Sequence, residues 1–340
     1  MGKETTIGPL DRQHSYVGRN LPREKAKRAV KGRGRYTDDI TLPRTVHAAF
    51  VRSPYAHANI CEINIEKAIA HPEVVLVMTG SEMKEMCTGP WLGTLSVFET
   101  MKTAPQYPMA VDRVCWQGEP VVMVVAESRA VAEDAAELVS VVYEELPVVA
   151  HKEDALEPGA NLVHKDLNEN LAYEKVIDNG DVGKAFDEAD HIVEGVFKFG
   201  RHTAVSLETR ALLASYEKDT EELTIYTSSQ TPHMIQAIIA KTLGLPEHKC
   251  RVVAPFVGGS FGLKIHSFGD EFAATAASIK LGRPVKFIAD RLESFLTDIH
   301  ARENKVAGKM AISDEGEIQA LEIDILSGVG AYSQYPRTSV

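Results

Sequence analysis

Val257-Gly258-Gly259-Ser260-Phe261-Gly262-Leu263-Lys264 is the stretch on which the reading of this chain turns. It follows a strand-like run, Cys250-Arg251-Val252-Val253-Ala254, and precedes a helix-like run that begins near Asp270. Glycines between a strand and a helix let the backbone approach a bound group, because no Cβ stands in the way. Such a loop also aims successive N–H groups at one spot, which suits oxo groups or phosphates. One large side chain, Phe261, stands inside the loop, an odd place unless its ring packs on something bulky. Two phosphate fingerprints fail. A P-loop needs G-x-x-x-x-G-K-[ST], and here the glycine spacing is wrong and Ile265 holds the hydroxyl position. Gly258, Gly259 and Gly262 do not fit the dinucleotide pattern G-x-G-x-x-G either, which disfavours a nucleotide-binding module. Alone, the loop reads equally as a ligand-free turn or as a cofactor loop.

A second segment tips the balance. Leu223-Thr224-Ile225-Tyr226-Thr227 alternates like a strand and ends in the polar turn Ser228-Ser229-Gln230-Thr231-Pro232-His233. An amphipathic helix over 234–243 follows, closed by Gly244 and Pro246, and then comes the strand that leads into the glycine loop. This order places both loops at one end of parallel strands. Ligands in open α/β sheets bind outside the carboxyl ends of strands, so Gln230 and the glycine loop are expected to face one site.

Composition sets the frame. The 340 residues suffice for two domains with sizeable cores, and 44% hydrophobic with 25% charged residues is ordinary for a globular protein. A net charge of -11 argues against a nucleic-acid surface. Cys61, Cys87, Cys115 and Cys250 are scattered with no C-x-x-C pair, so the chain offers no iron–sulfur site of ordinary spacing and the cysteines read as buried free thiols. The N-terminus lacks an apolar core segment and no membrane-length apolar run occurs, which makes the cytoplasm the expected location and a membrane span unexpected.

The chain divides into a polar, basic arm over residues 1–31, a compact α+β segment over 32–149, a linker over 150–175 and a mixed α/β unit over 176–340. Expected strands are 46–51, 60–65, 74–79, 121–126 and 139–143, with a helix over 128–139 that Ser128 can cap. The later unit is expected to open with a helix over 181–188 and a strand over 189–199. A hairpin (211–216 and 223–227) follows, and strands at 284–288, 305–312 and 318–327 come after the glycine loop.

Ser229-Gln230-Thr231-Pro232-His233 together with the glycine loop resembles the molybdopterin-binding subunit of the xanthine oxidase family. That family spans xanthine and nicotinate dehydrogenases, aldehyde oxidoreductases and aerobic carbon monoxide dehydrogenases. Gly32-Arg33-Gly34-Arg35-Tyr36-Thr37-Asp38-Asp39-Ile40, Phe50-Val51-Arg52-Ser53-Pro54-Tyr55-Ala56-His57-Ala58, Gly118-Glu119-Pro120-Val121 and Tyr143-Glu144-Glu145-Leu146-Pro147 resemble further family segments in the same order. The resemblance implies an α+β fold, an N-terminal α/β hammerhead domain followed by the first part of the molybdopterin-binding domain. It implies a molybdenum–molybdopterin cofactor, in the cytosine dinucleotide form usual for bacterial-type relatives. It implies oxidation of an aldehyde, an N-heterocycle or carbon monoxide with oxygen from water, and electron transfer to iron–sulfur and FAD partner subunits.

The resemblance also assigns roles. Gln230 is matched to a glutamine that donates to an oxygen ligand of molybdenum, against the bland reading of a turn-stabilising amide. Phe261 is matched to a residue whose backbone N–H points at the oxo ligand. Gly258, Gly259 and Gly262 let the backbone approach the pterin, and Ser260 stands where relatives usually have a third glycine. Serine fits there if its φ is negative and is strained by about 1–2 kcal/mol if it is positive. Purine-oxidising relatives place a glutamate at the position of Ile265, so an apolar wall for an aldehyde, aromatic ring or small neutral molecule is expected, or else a core position. Glu208, in Arg201-His202-Thr203-Ala204-Val205-Ser206-Leu207-Glu208-Thr209-Arg210, is expected to line the substrate channel or to pair with an arginine. His202 and His233 are weak metal-ligand candidates, because the family holds molybdenum through the pterin. The charges of 290–293 and 298–302 read as a structural network or a subunit contact. In relatives a comparable length follows the segment around Val340 and carries the general base, so a second chain or a C-terminal half is expected as partner. The contrasting expectation is a truncated or scaffold half that binds partners and holds no cofactor.

Overall fold

The structure is a computed structural model, and it describes residue 16 and residues 22–90 and 99–332. Most of the expected arm and the extreme C-terminal residues therefore lie outside the described residues. The described part of the arm holds α1 (Glu24–Val30), a short helix with no buried side chain.

The first segment runs β1 (Val46–Arg52), β2 (Ala58–Asn64), α2 (Glu66–Ile69), β3 (Val74–Thr79), α3 (Gly80–Glu85), β4 (Arg113–Val114), β5 (Pro120–Ala126), α4 (Arg129–Glu137) and β6 (Ser140–Glu145). β5 is an unbroken apolar run, paired on both edges by β1 and β3, and all of it is buried because its alternate side chains enter two core clusters, Met123 and Val125 in one, Val122 and Val124 in the other. Ser128 caps α4 by accepting the Val131 N–H. The 3-10 turn Asp154–Leu156 is the one helical element between β6 and the next helix among the described residues.

The second segment runs α5 (Val182–Asp187), β7 (His191–Phe199), β8 (Ala211–Glu217), β9 (Glu222–Thr227), α6 (Pro232–Thr242), β10 (Cys250–Val253), α7 (Gly269–Leu281), β11 (Val285–Ile288), α8 (Arg291–Thr297), β12 (Glu303–Ile312) and β13 (Ile318–Gly328). α6 starts at Pro232, whose fixed φ suits the first helical turn, so Pro232-His233 belongs to the helix and not to a turn. α3 and α8 were not expected. Thr79 with Glu82, and Asp290 with Glu293, form capping boxes that start them.

Three sheets result. The largest has the order β10-β9-β8-β11-β1-β5-β3, so strands from both segments share it through the parallel pairing of β1 with β11. α7 packs on it, and Phe272, Phe287, Met78, Met123, Leu212 and Ile225 fill the contact. Full burial of such a side chain contributes about 1.5–3 kcal/mol. α7 lies so close to the segment before β4 that a Cβ at Gly269 would stand 2.0 Å from the Pro108 carbonyl oxygen. A small sheet, β4-β2-β6, and a separate one, β13-β12-β7, complete the fold.

The cysteine expectation needs correction. All four thiols are free, yet only Cys250 is buried and Cys61 is exposed. The register of β2 against β6 skips from Ile60 to Glu62, so Cys61 is the extra residue of a bulge and turns outward.

β9 and β10 are parallel, with Leu223 opposite Cys250 and Tyr226 opposite Val253. The segment after β9 and the glycine loop after β10 therefore leave the sheet at the same end.

Candidate functional site

The two loops meet. The Gln230 N–H donates to the Lys264 carbonyl at 3.2 Å, Ser229 Oγ donates to the same oxygen at 3.0 Å, and Thr231 Oγ1 donates to the Ile265 carbonyl at 2.7 Å. The side-chain carbonyl of Gln230 accepts from the Ser260 hydroxyl. That contact ties one end of the amide and leaves its NH₂ end as a donor toward the exposed side. Ser260 Oγ also accepts the Lys264 N–H at 3.1 Å, so the serine braces both the glutamine and the loop.

The loop backbone is left-handed at three places, Gly259 (φ 104°), Phe261 (φ 53°) and Gly262 (φ 94°). Ser260 is not among them, so the strain falls on Phe261 instead, at about 1–2 kcal/mol for a residue with a Cβ. Phe261 is 80% exposed, and its ring packs on nothing bulky among the described residues. Among those residues, no protein acceptor takes the N–H groups of Gly259, Ser260, Phe261 or Gly262. Four successive free donors on a left-handed turn form a concavity for an anion or oxo group.

Behind the loop sits a group that sequence reasoning left unassigned. Lys264 is buried, and its Nζ donates to Glu208 Oε2 at 3.0 Å and to Ser228 Oγ at 2.6 Å. Burial lowers the Lys264 pKa from its ordinary value, and the neighbouring carboxylate of Glu208 opposes that shift. Glu208 Oε2 also accepts from Ser228 Oγ at 2.6 Å and from the Gly258 N–H at 2.7 Å. Glu208 thus pairs with a lysine and not, as the alternative had it, with an arginine, because the nearby Arg210 turns into a different cluster. Glu208 Oε1 is buried without a hydrogen-bond partner. Gly258 has to be glycine for steric reasons, since a Cβ there would stand 2.6 Å from the Glu208 Cβ.

Arg210 is fully buried and organises the other charges. It bonds Asp270 through both terminal nitrogens at 2.6 and 2.8 Å, Asp298 at 2.8 Å and Thr297 Oγ1 at 2.8 Å, and it lies 4.0 Å over the Phe268 ring. Arg52 joins from β1, reaching Asp270 at 2.8 Å and Glu293 at 2.7 Å. Burial pushes Asp270 up, but Arg210 and Arg52 overcome it and hold its carboxyl well below the usual range. Glu271 beside it is pushed up to about 8, chiefly by burial. This network pins the first turn of α7 and the end of α8, which fixes the downstream anchor of the glycine loop. Of the 290–293 and 298–302 charges, Glu293 and Asp298 enter this network, while Arg291 bonds the Ser206 and Leu207 carbonyls.

Ile265 is half-buried at the end of the loop. His202 sits at an isolated bridge to Ala301, with its Nδ1 3.1 Å from the Gly200 carbonyl oxygen. Among the described residues no three His, Cys, Asp or Glu side chains converge as a metal site. No described helix is long and apolar enough to cross a membrane.

Known proteins resemble this chain along most of its length. The family described as the molybdopterin cofactor-binding domain matches residues 163–340, and that of the aldehyde oxidase and xanthine dehydrogenase a/b hammerhead domain matches residues 31–147. The nicotine 6-hydroxylase large subunit of Paenarthrobacter nicotinovorans is 36% identical over 97% of this chain and 41% of its own length. The carbon monoxide dehydrogenase large chain of Afipia carboxidovorans is 34% identical over 98% of this chain and 42% of its own. The crystal structure of quinoline 2-oxidoreductase from Pseudomonas putida 86 superposes with a TM-score of 0.87 at 38% identity, covering 94% of this chain and 40% of that one. The chain thus spans about two fifths of the length of the curated relatives it matches.

Proposed function

This chain belongs to the xanthine oxidase family of molybdenum hydroxylases, and on that premise we propose that it forms the pterin-facing part of a molybdenum-cofactor oxidoreductase subunit. One observation carries the reading: the unpaired N–H groups of Gly259, Ser260, Phe261 and Gly262 stand beside the free amide end of Gln230. A run of main-chain donors with no Cβ at Gly259 or Gly262 fits an oxo-bearing, anionic pterin group and offers no direct metal ligand.

When bound, a molybdenum–pterin group supplies two-electron oxidation with water as the oxygen source. The residues of this chain bind and orient. Gln230 donates from its amide nitrogen, and the loop N–H groups neutralise oxygen charge. Gly258 is held by Glu208, which in turn is held by Lys264. On this arrangement Glu208 positions the loop and does not contact substrate. Ile265 offers an apolar wall, which favours an aldehyde, an N-heterocycle or carbon monoxide over a purine. The general base, the remaining pterin contacts (the cytosine dinucleotide form included) and the electron exit belong to partners. These are the rest of the large subunit, an iron–sulfur subunit and an FAD subunit, in a cytoplasmic complex.

Molybdenum and pterin content, measured by mass spectrometry on the chain purified from its host with its co-purifying chains, tests the proposal. About one molybdenum per chain, lost in Gln230→Ala, supports it. A folded chain without molybdenum or pterin leaves the scaffold reading in its place.

A further inference from the structure

The sheet β13-β12-β7 has two unlike faces. Its register sets Val193, Met310 and Leu321 in one rank and Phe197, Val306 and Ile325 in another, on the same face. Side chains alternate along a strand, so the opposite face carries the rank Glu194, Lys309 and Glu322. α5 packs on that charged face, where Lys309 Nζ lies 4.6 Å over the Phe186 ring. The covering is therefore inverted. The charged face has the helix and the apolar face is bare, with Phe197 61% and Ile325 59% exposed. A bare apolar sheet face marks an interaction surface. Between the two apolar ranks lie Gly195, Gly308 and Ile323; the Phe197 ring lies over Gly195, where a Cβ would stand 3.1 Å from it, whereas a Cβ at Gly308 would meet nothing within 4 Å. The space above Gly308 thus admits a side chain of whatever covers the sheet.

The matched relatives carry more than half of their length outside the matched part. We infer that the apolar face of β13-β12-β7 is the docking seat for that remainder of the large subunit, in the same chain or as a separate polypeptide. The inference rests on the sheet and not on the role of the glycine loop.

The test is co-expression of this chain with the part of the Paenarthrobacter nicotinovorans nicotine 6-hydroxylase large subunit that lies outside the match. The unmodified chain is expected to capture it. Phe197→Glu and Val306→Glu are expected to weaken capture on the order of a hundredfold, because each buries an unpaired carboxylate. Val196→Glu, at a position 62% exposed on the other face, is expected to leave capture unchanged. Circular dichroism melts of the single chain should be the same for the Phe197 and Val196 variants and the unmodified chain. In the captured complex, peroxide should convert Met310 to its sulfoxide more slowly than in the single chain. Metal content is no readout, so failure of the cofactor reading leaves this test intact. Three results overturn the inference: capture that survives both face variants, no capture by the unmodified chain, or a homodimer that those variants dissociate.

Discussion

One carboxylate oxygen of Glu208 takes both the Gly258 N–H, at 2.7 Å, and the Lys264 ammonium, at 3.0 Å, so the two ends of the glycine loop are held by a single atom. Glu208→Ala leaves a buried ammonium without its counter-ion and is expected to cost about 3–5 kcal/mol. Glu208→Gln keeps an acceptor for Gly258 and should cost less. Thermal melts of the two variants decide. Equal melting of Glu208→Ala and the unmodified chain would remove the clamp from the account.

Gly258 and Gly262 fail for different reasons when given a Cβ. At Gly258 the new carbon meets the Glu208 Cβ at 2.6 Å, whereas at Gly262 it meets nothing within 4 Å but sits at φ 94°. Gly258→Ala is expected to displace the Glu208 clamp and lower stability by about 1–3 kcal/mol. Gly262→Ala should cost about 1–2 kcal/mol through backbone strain alone. A double variant of Glu208→Ala and Gly258→Ala, melted alongside the singles, should show strong non-additivity, while Glu208→Ala with Gly262→Ala should add.

Ser260 braces Gln230 without contributing to the core. Ser260→Ala removes both of its side-chain bonds and is expected to change stability by less than about 1 kcal/mol. Molybdenum occupancy should drop several-fold because the glutamine amide loses its fixed orientation. Full occupancy in Ser260→Ala would show that Gln230 needs no brace.

Glu119 gives a pH signature. Burial pushes its carboxyl up to about 8, against hydrogen bonds from the Cys115 and Trp116 backbone. The folded state then keeps a proton that the unfolded chain, with a pKa of about 4.3, releases. Stability should be fully present below about pH 4 and fall as pH rises towards 8. Glu119→Gln keeps a carbonyl for the Cys115 N–H and cannot ionise. Its melting temperature should depend less on pH over that window, and parallel profiles for the two proteins would refute the assignment.

Arg210 is the hub of the buried charges. Arg210→Ala leaves Asp298 without its arginine and Asp270 with Arg52 alone, and is expected to cost about 3–5 kcal/mol. Removing the acids as well, in a triple variant with Asp270→Asn and Asp298→Asn, should recover part of that loss. Denaturant melts of the two variants measure the recovery.

Much of this was legible in the chain. The apolar run of β5, the Ser128 cap and the β9–α6–β10 unit are local signals, and local signals survive into the fold. The short helices α3 and α8 are not evident from periodicity, although Thr79 with Glu82, and Asp290 with Glu293, carry the capping-box spacing, because six or seven residues hold fewer than two full turns of an apolar pattern. Lys264 was quoted in the loop but given no role, since its partner Glu208 lies 56 residues upstream and no periodicity links them. Arg210 was equally opaque, as its burial depends on acids supplied by two later helices.

The parallel register of Val46 with Val285 has a consequence for biosynthesis. At a synthesis rate of roughly 5–20 residues per second, β1 leaves the ribosome long before β11 exists. One edge of β1 thus stays unpaired for tens of seconds, open to wrong partners. Slowing translation between residues 126 and 285 lengthens that exposure and should raise the aggregated fraction.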